Sequence, residues 1–158
     1  MADEGMSICT IYNTAFNSFI SAHPKSIKIW NAVNGEIQHI FREPSKAEVT
    51  CMILHNRKRK LYVGDSAGKV FTLNIKNGTK IKKFRSHTDE VTSLYYWEGS
   101  EDVKLLISSS WDGSVIVHDD SKSDPVGIVR YNKIRHKGSA NSVSFKENDG
   151  IVASCSDD

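Results

Sequence analysis

The chain has 158 residues, 39% of them hydrophobic and 25% charged. That is enough for one domain with its own core, and too apolar for a disordered chain. Its 21 basic and 19 acidic residues leave a net charge of +2, so no broad electrostatic attraction to nucleic acid or to a membrane surface is expected.

In chain order, residues 1–12 carry Asp3 and Glu4 and lack a basic segment followed by a long apolar stretch. They do not read as a secretory signal. No run of 18 apolar residues follows anywhere, so no membrane span is expected. Cys9, Cys51 and Cys155 are widely spaced and odd in number, and read as reduced, mostly buried thiols of a cytoplasmic protein.

Three strand-like segments then repeat: Ser26-Ile27-Lys28-Ile29-Trp30-Asn31, Lys69-Val70-Phe71-Thr72-Leu73-Asn74 and Ser114-Val115-Ile116-Val117-His118-Asp119. Their fifth residues stand at 30, 73 and 118, in steps of 43 and 45. Asn34-Gly35 recurs 43 residues on as Asn77-Gly78, where it supplies the positive φ of a tight hairpin. Ser108-Ser109-Ser110-Trp111-Asp112 recurs 46 residues on as Ser154-Cys155-Ser156-Asp157-Asp158. A period of about 40–45 residues holding four short strands is that of a propeller blade. In the third unit the strands are predicted at 90–97, 104–110, 114–119 and 126–131, separated at Gly99, Asp112-Gly113 and Ser123-Asp124-Pro125. Runs such as Leu105-Leu106-Ile107 are apolar on both faces, as a blade buried between two neighbours requires.

The predicted fold is therefore all-β: β-propeller blades of four antiparallel strands at 7–43, 48–84, 85–132 and 136–158. The last unit holds two strands, giving about three and a half blades in an open arc. Asp158 matches Asp112, which Gly113 and two more strands follow, so the sequence is expected to stop inside a blade.

These segments resemble the WD-repeat family over nearly the whole chain. The resemblance implies a polar tetrad in each blade. A His before the first strand bonds an Asp in the turn after the second, and a Ser or Thr and the third-strand Trp complete it. In the third unit His87 and Asp112 take the His and Asp places, Ser108 or Ser110 the hydroxyl place, and His118 the Trp place. In the first unit Trp30 fits, but Pro24 stands at the Asp place. The second has Ala67 and Leu73 at the Asp and Trp places and no leading His. In the fourth His136 and Asp158 fit, 22 residues apart against 25 for His87 and Asp112. No unit carries all four groups. The one Trp-Asp dipeptide, Trp111-Asp112, lies in the turn before the third strand. The family's dipeptide closes that strand, where Trp30-Asn31, Leu73-Asn74 and His118-Asp119 stand. The run 103–120, with Arg59-Lys60-Leu61-Tyr62-Val63-Gly64-Asp65-Ser66, is more narrowly similar to the long WD-repeat proteins of cilia and flagella, large axonemal proteins with two propellers.

By the resemblance, the residue before the turn Asp points to the rim where partners dock. That makes Trp111 the first candidate contact, with His23, Ser66 and Asp157 at the matching places. Packing of Trp111 on the adjacent blade is the alternative. Arg57-Lys58-Arg59-Lys60 reads as a solvated hairpin, or else as a nuclear-import or phosphate patch. Lys80, Lys82, Lys83 and Arg85 read as a solvated outer edge that discourages strand pairing. Asn77-Gly78-Thr79 is a turn rather than a glycan acceptor. The six histidines lack metal spacing, Asp119-Asp120-Ser121-Lys122-Ser123-Asp124 lacks the glycine and terminal glutamate of a calcium loop, and no phosphate loop is present. Neither metal nor cofactor is expected. The expected function is a non-enzymatic protein-binding scaffold in a cytoskeletal or axonemal assembly, with no nucleic acid or membrane partner. The partners would be proteins of the axoneme or the rest of a larger propeller. The alternative is a truncated isoform or fragment without binding activity of its own, its apolar blade faces left uncovered.

Overall fold

A computed structural model describes residues 6–99, 103–121 and 128–158, with the backbone alone described at 128–134. Among these residues every regular element is a strand, and none is a helix. The first sheet holds β1 (Cys9–Asn13), β2 (Ser18–His23), β3 (Ser26–Asn31) and β4 (Ile37–Arg42). The second holds β5 (Val49–Leu54), β6 (Lys60–Asp65), β7 (Val70–Asn74) and β8 (Lys80–Lys83). The third holds β9 (Val91–Glu98), β10 (Lys104–Ser110), β11 (Ser114–Asp119) and β12 (Ile128–Arg135). β13 (Ala140–Lys146) and β14 (Ile151–Ser156) pair as a two-stranded sheet. Each sheet is an antiparallel meander in chain order, which gives three full blades and half of a fourth. The chain is all-β and made of incomplete-propeller blades.

The third unit's last strand differs from the predicted 126–131. It runs to Arg135, three residues past the span 85–132, because the β11–β12 register shifts twice, around Val117. Ser123-Asp124-Pro125 and residues 126–127 lie outside the described residues. The Asn-Gly turns also differ from tight two-residue hairpins. Only the glycines take positive φ, 72° at Gly35 and 68° at Gly78, and four residues separate the ends bonded as Asn31 to Glu36 and Asn74 to Thr79. Asn31 and Asn74 accept bonds from the amides two residues on, at 2.8 and 2.9 Å, and Asp119 does the same for Ser121 at 2.9 Å. The residue closing each third strand is thus the one that starts the following turn.

Core lies between blades rather than within them. Along β6, Leu61 and Val63 face blade 1, while Tyr62 faces blade 3. Along β10, Leu106 faces blade 2, while Leu105 and Ile107 face blade 4. This alternation is why the strands read as continuous apolar runs. First strands carry the contacts around the arc: β1 on β5, β5 on β9 and β9 on β13. Blades also dock backbone to backbone. The His87 amide donates to the Gly68 carbonyl at 2.9 Å, and the His136 amide to the Gly113 carbonyl at 2.8 Å.

Candidate functional site

Docking of each lead loop on the preceding turn brings the lead-loop residue under that blade's neighbour. In the third blade the His87 ring lies 2.7 Å from Ser108 Oγ through Nε2, and 2.8 Å from Ser114 Oγ through Nδ1. Ser108 Oγ also meets His118 Nε2 at 3.1 Å. Ser114 donates to Asp112 Oδ1 at 2.5 Å, and Asp112 Oδ2 accepts from the Thr88 amide at 2.9 Å and lies 3.5 Å from His87 Nδ1. Ser108, rather than Ser110, takes the hydroxyl place. Ser110 instead donates to the Asp89 carbonyl.

One proton arrangement satisfies this chain. Ser114 spends its hydrogen on Asp112, so its oxygen accepts from His87 Nδ1–H. His87 Nε2 then accepts from Ser108, whose oxygen accepts from His118 Nε2–H. Every bond is polarised toward Asp112. Burial pushes its carboxyl up, but the bonds from Ser114 and the Thr88 amide outweigh it and hold the carboxyl at about 2. The other end is neutral: His118 is fully buried, its Nδ1 has no partner among the described residues, and burial holds its pKa down to about 3. Burial lowers His87 likewise.

The Ser108–His87–Asp112 order imitates a nucleophilic triad. Its geometry is that of a lock: Ser108 is wholly buried and its oxygen is occupied on both sides, so no substrate carbonyl can reach it. The lock has a pH signature. Between about pH 6.5 and 3 the unfolded chain protonates a histidine that the folded His118 keeps neutral, so stability falls as pH falls. Each pH unit in that window removes up to about 1.4 kcal/mol per such histidine. Urea midpoints measured from pH 7.5 to 4.5 are expected to decline steadily below about pH 6.5; a flat profile would contradict the neutral lock.

The other blades vary the theme. In the first, Trp30 Nε1 donates to Ser21 Oγ at 2.8 Å, and Ser21 meets His23 Nε2 at 3.1 Å. Half-buried His23 therefore joins this part-buried network. It pairs with Ser26 across a two-residue hairpin through Pro24 and exposed Lys25, a shorter turn than the one that carries Trp111. In the second blade, Val63 and Leu73 take the Ser and Trp places as apolar core. Ser45, four residues ahead of its first strand as His87 is, donates to buried Asp65 at 2.5 Å. Asp65 also accepts from the amides of Ala67 and Lys69. In the fourth, His136 bonds Ser154 at 2.8 Å and Asp158 at 3.0 Å, and Asp158 accepts from the Lys137 amide at 2.7 Å. Ser21, Ser45, Asp65, Ser114 and Ser154 escaped the sequence reading, although Ser21 precedes Trp30 by nine residues much as Ser108 precedes His118 by ten.

At the rim, Trp111 is 50% exposed on the turn after β10. Its amide donates to Glu90 at 3.0 Å; Ser66 donates to Glu48 at 2.8 Å and Asp157 to Ser139 at 3.3 Å. These three residues hold one position in successive blades. Ser66 is half-buried and its hydroxyl accepts from the Glu48 amide, whereas Asp157 is exposed and accepts from Asn141 at 2.6 Å. Burial, with the charges of Asp89 and Glu48, raises the Glu90 carboxyl, so the rim beside Trp111 is acidic.

Elsewhere, Arg57 to Arg59 lie in the β5–β6 turn, and Arg57 reaches Glu98 at 3.6 Å. The Lys80–Arg85 edge is not uniformly solvated. Lys82 is buried against Asp120 at 2.8 Å, and Asp120 also accepts from Tyr62 at 2.5 Å. The thiols differ too: Cys9 and Cys51 are half-buried and Cys155 is exposed. Burial pushes the Cys51 thiol up to about 12, so it is inert. Among the described residues no group of three or more His, Cys, Asp or Glu is placed to hold a metal ion.

Residues 78–119 match the family model described as WD domain, G-beta repeat. The chain is 28% identical over 113 residues to cilia- and flagella-associated protein 337 B of Tetrahymena thermophila. That match covers 72% of the chain and only 9% of the relative's length. Among solved structures, the computationally designed Ika4 protein superposes with a TM-score of 0.76 at 18% identity, covering 98% of this chain and 93% of that one. The WD40 repeats of RRP9 superpose with a TM-score of 0.77 at 19% identity, covering 90% and 43%. These likenesses show the fold.

Proposed function

We propose that this chain, a run of WD-repeat β-propeller blades, is a protein-binding platform rather than an enzyme, and that it works within a ciliary or other cytoskeletal assembly. WD-repeat propellers serve as protein-interaction scaffolds. The observation that carries the reading is the rim: a half-exposed Trp111 on a turn clamped by hydrogen bonds, flanked by Glu48, Asp89 and Glu90. Rigid turns bind without the cost of ordering a loop. An exposed aromatic beside carboxylates suits a partner surface that presents apolar and basic side chains. Asp157, at the equivalent turn of blade 4, extends the same surface, as does Ser66 at the equivalent turn of blade 2. The ciliary setting is supported by the relative's name and by the sequence run 103–120.

The test is affinity capture from ciliary extract with the tagged chain and its Trp111→Ala variant. Loss of the anchor is expected to weaken the retained partner by roughly 2 kcal/mol, about 30-fold, with an unchanged melting temperature because the side chain is exposed. Equal capture by both proteins would overturn the rim assignment.

A further inference from the structure

We infer that the cleft at the outer edge of blade 2, beside the connection from blade 1, binds a phosphate monoester carried on a peptide side chain. The cleft encloses about 300 Å³ and is lined by Lys46, Lys69, Lys80 and Lys83 around a floor of Phe71 and Phe84. That volume is at the small end of ligand pockets, roughly 300–1,000 Å³.

Three observations make this a site rather than a solvated edge. The first is convergence. β7 and β8 pair as Phe71 with Lys83 and Leu73 with Lys80, with a register shift between that leaves Ile81 unmatched. The shift brings Lys80 to the side of Lys83, where Phe71 and Leu73 also lie, while Lys82, paired with Thr72, faces the other way toward Asp120. The loop before β5 and the turn after β6 add Lys46 and Lys69. The second is charge. Among the described residues none of the four pairs with a carboxylate within ion-pair distance. Burial and the charge of Lys83 lower Lys80 against the pull of Asp65, and Lys69 adds to the lowering. Asp65 is itself engaged by Ser45 and two amides. A bound dianion relieves that repulsion. The third is the floor. Lys80 Nζ sits 4.4 Å from the Phe71 ring centroid, so its ammonium is held at the cleft wall, and the rings give the carbon stem of a phosphorylated residue an apolar seat.

A nucleic acid backbone fits less well. It needs basic groups in a continuous track, yet the other basic run, 57–60, is at the far end of β6, about 20 Å away at the rise of a six-residue strand. Net charge is only +2.

Fluorescence anisotropy on the intact chain decides the matter. Three labelled probes are titrated: a peptide library degenerate around a central phosphoserine, its unphosphorylated counterpart, and a ten-nucleotide oligouridylate. The phosphoserine library is expected to bind at least ten-fold more tightly than the other two and to be displaced by inorganic phosphate. Lys80→Gln/Lys83→Gln should lower its affinity at least ten-fold, as should Lys46→Gln/Lys69→Gln, each with an unchanged melting temperature since all four side chains are exposed. Arg57→Gln/Arg59→Gln and Trp111→Ala should leave it unchanged, which separates this site from the rim. Equal binding of the two peptide libraries, tighter binding of oligouridylate, or indifference to both lysine pairs would overturn the proposal.

Discussion

Asp120→Ala is expected to destabilise the fold by about 3–5 kcal/mol, the range for breaking a buried ion pair by removing one partner. In the native chain the carboxylate takes 2.8 Å from Lys82 Nζ on one oxygen and 2.5 Å from the Tyr62 hydroxyl on the other. The Lys82 and Asp120 side chains are only 8% and 11% exposed. Three strands from two blades meet there: β6 supplies Tyr62, β8 supplies Lys82, and Asp120 follows β11, anchored by its own amide to the Lys104 carbonyl at 2.8 Å. Tyr62 stacks on Tyr96 with centroids 4.9 Å apart, and Tyr96 meets His55 Nε2 at 3.1 Å. The bond from the Arg57 amide occupies His55 Nδ1, so the proton of the neutral ring sits on Nε2 and points to Tyr96. Truncating Asp120 removes the counter-charge of a buried ammonium and the acceptor of a buried phenol together. Thermal melting should drop by on the order of 10 °C. The double variant Asp120→Ala/Lys82→Met should recover much of the loss, since removing both charges spares the desolvation cost. A double variant no better than the single would show that the ion pair is not what holds blade 2 to blade 3.

Gly68→Ala should cost about 2–5 kcal/mol, by the left-handed backbone and by overpacking together. Gly68 has φ +77°, and a Cβ there would lie 2.5 Å from the His87 carbonyl oxygen and 2.7 Å from that of Asp89. Both are backbone atoms of the next blade's lead loop, whose His87 amide already bonds the Gly68 carbonyl. They cannot yield without moving His87 away from Ser108. Gly35→Ala is the control. Gly35 has φ +72° but nothing within 4 Å of a built Cβ, so only the dihedral cost, roughly 1–2 kcal/mol, applies. Denaturant midpoints of the two variants isolate the docking contribution as their difference. Equal losses would mean that blade docking tolerates the methyl group and does not depend on close backbone approach.

Much of this architecture is legible from period alone. A repeat of 43–45 residues with paired turn glycines fixes the blade, and runs such as Leu105-Leu106-Ile107 show that both faces are buried. The third-unit strands at 104–110 and 114–119 coincide with β10 and β11. What resists the sequence is anything that depends on a register shift or on a neighbouring blade. His23 looks like a rim residue when aligned with Trp111, but its hairpin is shorter, so it folds into the Ser21–Trp30 network. Lys82 looks like one more lysine on an outer edge, but its pairing with Thr72 turns it away from Lys80 and Lys83, toward Asp120, 38 residues later in the sequence. Asp65 and Ser45 fall at places where the family pattern names other residues, and only their proximity in space reveals the substitute pair. In the third blade the pattern located His87, Asp112 and His118. Ser114 and the direction of the protons emerge only from the distances.

Hydrogen–deuterium exchange on the chain bound to a captured partner tests the central claim, that the clamped turns form the protein-binding face. Added protection is expected at 110–114 around Trp111 and at 156–158 around Asp157, relative to the free chain. A tightly bound partner that leaves exchange at both turns unchanged would contradict it.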